Sequence, residues 1–92
     1  MNFPNKTIIG KVSRMAQLTD RLAQNIAGRY YVDSYCIDCD ICRTTAPDFF
    51  RRDEELGLSI VHRQPQTADE IALADEALGS CPVDSIGRDG SN

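Results

Sequence analysis

Cys36-Ile37-Asp38-Cys39-Asp40-Ile41-Cys42 decides the fold of this chain, and Cys81-Pro82 completes it from far along the sequence. Three thiols, each separated by two residues, sit on one short loop, so their sulfurs can converge on a compact object. The fourth closes the site. Four thiolates suit a tetrahedral zinc ion or a cubane iron–sulfur cluster. Zinc usually takes two Cys-x-x-Cys-type pairs from separate turns, and a third cysteine on the same turn crowds one small ion. A cubane is larger, with iron at separated corners, and one loop can serve several of them in succession. The spacing therefore favours a cubane. Structural zinc, disulfide pairing and a three-iron cluster stand as the alternatives.

The pattern Cys-x-x-Cys-x-x-Cys followed at a distance by Cys-Pro resembles the bacterial single-cluster 4Fe-4S ferredoxins. The similarity runs from about Arg29 to Arg88. Besides the cysteines it is carried by Tyr30-Tyr31-Val32-Asp33, Pro47-Asp48-Phe49-Phe50 and Cys81-Pro82-Val83-Asp84-Ser85-Ile86. In two-cluster relatives the loop continues with three residues and then Cys-Pro, the added cysteine serving the other cluster. Here Ala46-Pro47 stands at those positions: the proline remains and the thiol is absent. The resemblance implies one 4Fe-4S cluster on Cys36, Cys39, Cys42 and Cys81. Cys39 is present where relatives with three-iron clusters often carry another residue. Asp40 stands where many members carry glycine, a departure that an αL turn tolerates in aspartate better than in most residues.

Composition agrees with this picture. Ninety-two residues make one small domain, too short to bury a large core unaided. A cluster held by four distant ligands is a natural staple for a fold of this size. No apolar run of signal-peptide type follows the start, and no stretch approaches a membrane span, so a cytoplasmic setting is expected. A reducing cytoplasm disfavours disulfides and again favours metal. Charge divides unevenly. Residues 1–29 hold Lys6, Lys11, Arg14, Arg21 and Arg29 against Asp20, a net of +4. Residues 30–92 hold five arginines against thirteen acids, a net of −8. An acidic body argues against nucleic-acid binding, which needs a basic footprint, and suits docking to proteins with a basic face.

Residues 1–29 are read as an amphipathic basic helical extension and residues 30–92 as the ferredoxin domain. Ile8, Val12, Met15, Leu22 and Ile26 fall on one side of a helix that Thr7 can cap and Gly28 can end. Its apolar face can pack on the body, recognise a partner or lie on a membrane surface, with packing preferred. Tyr30-Tyr31-Val32 has strand character. Arg43 to Ala46 allows one helical turn before Pro47. Of Phe49 and Phe50, one is expected inward and one partly exposed. Arg51 to Gly57 is charged and reads as a turn, and Leu58 to His62 as a strand. Thr67-Ala68-Asp69-Glu70 is a capping box opening a helix that Gly79-Ser80 ends. Val83 and Ile86 return as a strand able to pair with Tyr30–Val32.

The expected fold is thus α+β: a small ferredoxin-like domain with short antiparallel strands and two helices, plus the N-terminal helical extension. Ile37, Ile41, Phe50, Pro82 and Val83 are expected to wall the cluster. Asp38 and Asp40 are expected to face water, and His62 to be a surface strand residue, since four cysteines already complete the site. The chain shows no nucleophile–base arrangement and no glycine-rich phosphate loop. The resemblance therefore implies a monomeric one-electron carrier working between redox partner proteins, and not an enzyme. A zinc-stabilised four-cysteine interaction module without a redox role is the rival.

Overall fold

A computed structural model describes residues 16–90. In chain order its elements are β1 (Tyr31–Val32), α1 (Ile41–Thr45), β2 (Phe50–Asp53), β3 (Leu58–Val61), α2 (Ala68–Ser80) and β4 (Ile86–Gly87). The strands form two antiparallel pairs, β1 with β4 and β2 with β3. The α+β architecture with two helices is as expected.

The β2–β3 hairpin pairs Phe50 with Val61 and Asp53 with Leu58. Its turn is set by Asp53, whose Oδ1 accepts from the N–H groups of Glu55 and Leu56, both at 3.0 Å. Gly57 then takes the positive φ, 68°, that closes it. The turn expected over Arg51–Gly57 is therefore shorter than read, because Arg51 and Arg52 belong to the strand. A two-stranded hairpin wets one face, so charged side chains do not forbid it. Phe49 and Phe50 are both 1% exposed, against the expectation that one would be partly exposed. Their N–H groups both donate to the Ala46 carbonyl, so the chain turns sharply off α1 into the core. The Arg63 guanidinium lies over the Phe49 ring, 5.2 Å from its centroid, and shields it from solvent.

α2 opens on the expected capping box. Thr67 Oγ1 accepts from Glu70 N–H at 3.1 Å, and Glu70 Oε1 accepts from Thr67 N–H at 3.2 Å. Backbone donors from Gln66 and Thr67 hold the Glu70 carboxyl below the usual carboxylate range. Ala74 and Ala77 are wholly buried, and α1 packs against α2. At β4, Gly87 pairs with Tyr31, and a Cβ there would collide with the Tyr31 ring. The core gathers Tyr30, Val32, Phe49, Phe50, Val61 and Ile86 with the two alanines and Cys42.

The helix read from Ile8 begins outside the described residues. Within them it does not continue to Gly28: Leu18–Asp20 is a single 3-10 turn, Arg21 bridges to Asp33, and turns follow. Asn25 explains the loss of helix. Its Nδ2 donates to the carbonyls of Leu22 (2.8 Å) and Val32 (2.9 Å). Its Oδ1 accepts from the N–H groups of Val32 (3.1 Å) and Val61 (2.9 Å). One carboxamide thus joins β1 to β3, using side-chain bonds that compete with helix formation. Gln64 does the same at Tyr30, donating to its carbonyl and accepting from its N–H, both at 2.9 Å. Residues 16–29 are stitched to the body by these bonds, and Leu22 packs on the core.

Candidate metal centre

The cysteine loop starts from a buried carboxylate. Asp33 accepts from Tyr35 N–H at 2.9 Å and Gln17 N–H at 3.2 Å, fixing the chain just before Cys36. Asp38 (φ 59°) and Asp40 (φ 73°) then take left-handed conformations on either side of Cys39. Aspartate is among the few non-glycine residues that visit this region readily. The two bends curl the loop, and Asp38 N–H comes to donate to Cys36 Sγ at 3.4 Å. α1 begins directly afterwards, which puts Cys42 in its first turn and buries it against the core.

Cys81 arrives as the residue that caps the C-terminal end of α2, its N–H donating to the Leu78 carbonyl at 3.4 Å. Pro82 cannot continue the helix. Asp84 takes a positive φ of 53°, and Ser85 N–H donates back to Cys81 Sγ at 3.2 Å. Both halves of the motif therefore use a left-handed aspartate and aim a backbone N–H at a cysteine sulfur.

The four cysteines line one cavity. Val32, Ile37, Val83 and Ile86 supply its apolar wall, and Ser59 and Ser85 its hydroxyls. Ile37 and Val83 stand where the sequence reading put them. Ile41 is exposed, Phe50 belongs to the core and Pro82 faces outward, so these three do not line it. Val32, Ile86 and the two serines were missed. A signal existed for Ser59, a small polar residue inside the apolar run Leu58–Val61, and 1% exposed. For Ser85 and Ile86 it lay in their place just after Cys81-Pro82. His62 lies away from the cavity, its N–H on the Phe49 carbonyl and its ring nitrogen 3.2 Å from the Pro47 carbonyl.

Exposure grades steeply among the thiols. Cys42 is 8% exposed, Cys39 is open, and Cys36 and Cys81 lie between. Burial pushes the Cys42 thiol up, while Ser59 Oγ, 3.3 Å from its sulfur, pulls the other way. At the rim the acids are paired. Arg43 bonds Asp38 at 2.8 Å and Asp40 at 2.7 Å, and Arg52 bonds Asp38 at 3.2 Å. The Arg43 and Arg52 guanidiniums hold the Asp38 carboxyl below its ordinary range. Asp40 is exposed, as the sequence had suggested, while Asp38 is half-buried beneath the two guanidiniums.

This donor set fits an iron–sulfur cluster. All four thiols are free of disulfides, and sulfur is the soft ligand that iron–sulfur chemistry uses. The four thiols line a common cavity, as a cluster with iron at separated corners needs. Ser85 Oγ is buried and has no partner among the described residues, so the site holds a hydroxyl without an acceptor there.

No curated protein matches this chain. A family model, the 4Fe-4S single cluster domain of Ferredoxin I, matches residues 32–88, a span that runs from β1 through both helices and all four cysteines to β4. With more than half of its length matched, the chain belongs to the single-cluster 4Fe-4S ferredoxin family.

Proposed function

We propose that the chain is a bacterial-type one-electron carrier and has no catalysis of its own. It holds one 4Fe-4S cluster on Cys36, Cys39, Cys42 and Cys81. The convergence of these four thiols on one apolar-walled cavity supports the reading above all else. When bound, a 4Fe-4S cluster supplies one-electron exchange at a potential set by charge, hydrogen bonding and exposure. The protein's own residues do the rest. Asp38 N–H and Ser85 N–H stabilise negative charge on Cys36 and Cys81. Val32, Val83 and Ile86 exclude water from the inner side. Cys39 and Ile37, both exposed, form the edge through which an electron would pass.

The partners are redox proteins, a reductase and an acceptor, with basic docking faces. The net −8 of residues 30–92 steers the encounter. The rim itself is different in character. Arg43 and Arg52 offset the charges of Asp38 and Asp40, and exposed Tyr35, Ile37 and Ile41 surround them. Long-range attraction by the acidic body and short-range apolar contact at the rim divide the task. Among the described residues no helix is long and apolar enough to cross a membrane, and the proposed setting is the cytoplasm.

Anaerobic purification with metal and sulfide counting tests the reading. The family implies four irons and four sulfides per chain, with a brown colour and a paramagnetic signal on one-electron reduction. Stoichiometric zinc without sulfide would replace the carrier by the zinc-stabilised interaction module.

A further inference from the structure

Ser85 is pinned by its backbone and unexplained at its side chain. Its N–H donates to Cys81 Sγ at 3.2 Å, and its carbonyl accepts from Asp33 N–H at 2.7 Å. The residue is 1% exposed, lines the cysteine cavity, and carries the one buried side-chain oxygen or nitrogen without a partner among the described residues. Leaving a buried hydroxyl unsatisfied is costly, and in most proteins such a group has found an acceptor. The neighbouring Ser59 hydroxyl already has a partner, since Cys42 Sγ lies 3.3 Å away.

Resting on the cluster assignment above, we propose that the Ser85 hydroxyl is a hydrogen-bond donor to the cluster and raises its reduction potential. A cluster sulfur carries no proton, so a hydroxyl facing it can only donate. Reduction adds one negative charge, which makes those sulfurs better acceptors. A donor therefore stabilises the reduced form more than the oxidised one. The proton stays on Ser85 Oγ throughout, and the electron comes from the donor protein. Ser85 is in this sense a positioning residue for charge. It works alongside the backbone N–H at the same position, which substitution leaves in place.

Spectroelectrochemical titration of the loaded protein tests this. Ser85→Ala removes only the hydroxyl and is smaller than the residue it replaces, so the fold and the cluster content should persist. The equilibrium constant for reduction should fall about tenfold, which for a one-electron couple is a midpoint about 59 mV more negative. Ser85→Thr keeps the hydroxyl and should stay close to the parent. An unchanged midpoint in Ser85→Ala overturns the proposal, and so does an equal shift in Ser85→Thr, which would assign the effect to packing. Wild-type protein without iron and sulfide would overturn the cluster assignment itself, and this inference with it.

Discussion

Cys42 and Cys39 belong to one motif and differ in almost everything else. Cys42 sits in the first turn of α1, packs against the core and has a hydroxyl beside its sulfur. Cys39 stands between two left-handed aspartates and is open to solvent. The same thiol at the same spacing is an anchor at one position and a doorway at the other. The ligand pattern defines what can bind, while the surroundings of each ligand define what it does.

The largest effect should come from striking the anchor. Cys42→Ala is expected to abolish cluster assembly and cooperative folding together, since a fold of this size relies on its staple. Cys39→Asp swaps a soft donor for a hard one at the open corner. It should leave a folded protein whose iron count falls on exposure to air, as a mixture of three-iron and four-iron forms. Cys81→Ser should be intermediate, because Cys81 also ties α2 to the loop. Thermal and denaturant unfolding of the three variants gives the ranking. A Cys39→Asp protein less stable than Cys42→Ala or Cys81→Ser would dissolve the distinction.

On the buried side, Asn25→Ala sharpens the comparison without touching a ligand. It strips the Asn25 acceptor from the N–H groups of Val32 and Val61, while the Leu22 and Val32 carbonyls keep backbone donors. A loss of about 2–3 kcal/mol in denaturant unfolding is expected, in the range for leaving buried polar groups unpaired. Cluster spectra should be unchanged. A loss no greater than that of Gln24→Ala, at an exposed neighbour, would show that the clasp carries no stability.

A smaller effect is expected at Tyr30, whose hydroxyl donates to Asp75 at 2.7 Å. That bond first, and Arg88 after it, lowers the Asp75 pKa. A carboxyl with a lowered folded-state pKa adds stability above its ordinary titration range and loses it as pH falls through the lowered value. Tyr30→Phe should therefore flatten the acid limb of a stability–pH curve, with little change in cluster content. An acid limb identical to the parent's would assign the steepness to other carboxylates.

The smallest effects should lie at the rim. Encounter with a reductase, followed by stopped-flow mixing, should slow as salt rises, because exposed charges beyond about 10 Å are largely screened at 0.1 M. Reversing Asp38 should also unseat Arg43 and Arg52, so it changes the rim more than the single charge implies. It should slow encounter more than reversing Glu76 on α2. Removing residues 1–15 takes away three basic side chains and should leave encounter unchanged or faster if that segment is not the recognition element. Rates independent of salt throughout would rule out steering.

The convergence of the four cysteines and most of the elements around them were legible because chemistry restricts them tightly. Cysteine spacing, the Thr67–Glu70 box and Gly57 each have few structural meanings. Asn25 and Gln64 were not legible. A carboxamide looks the same in sequence on a wet helix as it does between two strands, and only tertiary contacts separate the cases. Arg51 and Arg52 misled in a similar way, since charge marks an exposed face and does not say whether the backbone beneath is paired. Asp38 is paired by Arg43, five residues on, and also by Arg52, fourteen residues on in β2; local pattern cannot carry the second contact.

Asn25 has one more consequence, and it concerns age. Asparagine side chains hydrolyse slowly to aspartate, and at this position the product cannot serve as the reactant does. The two N–H donors to Leu22 and Val32 would vanish, and a carboxylate would face the carbonyls they had satisfied. An older molecule would be covalently distinct, slightly heavier and more acidic, and would open first where β1 meets β3. The four thiols would be intact. Counting iron and sulfide would therefore miss such a change, and a measurement of mass or charge would find it.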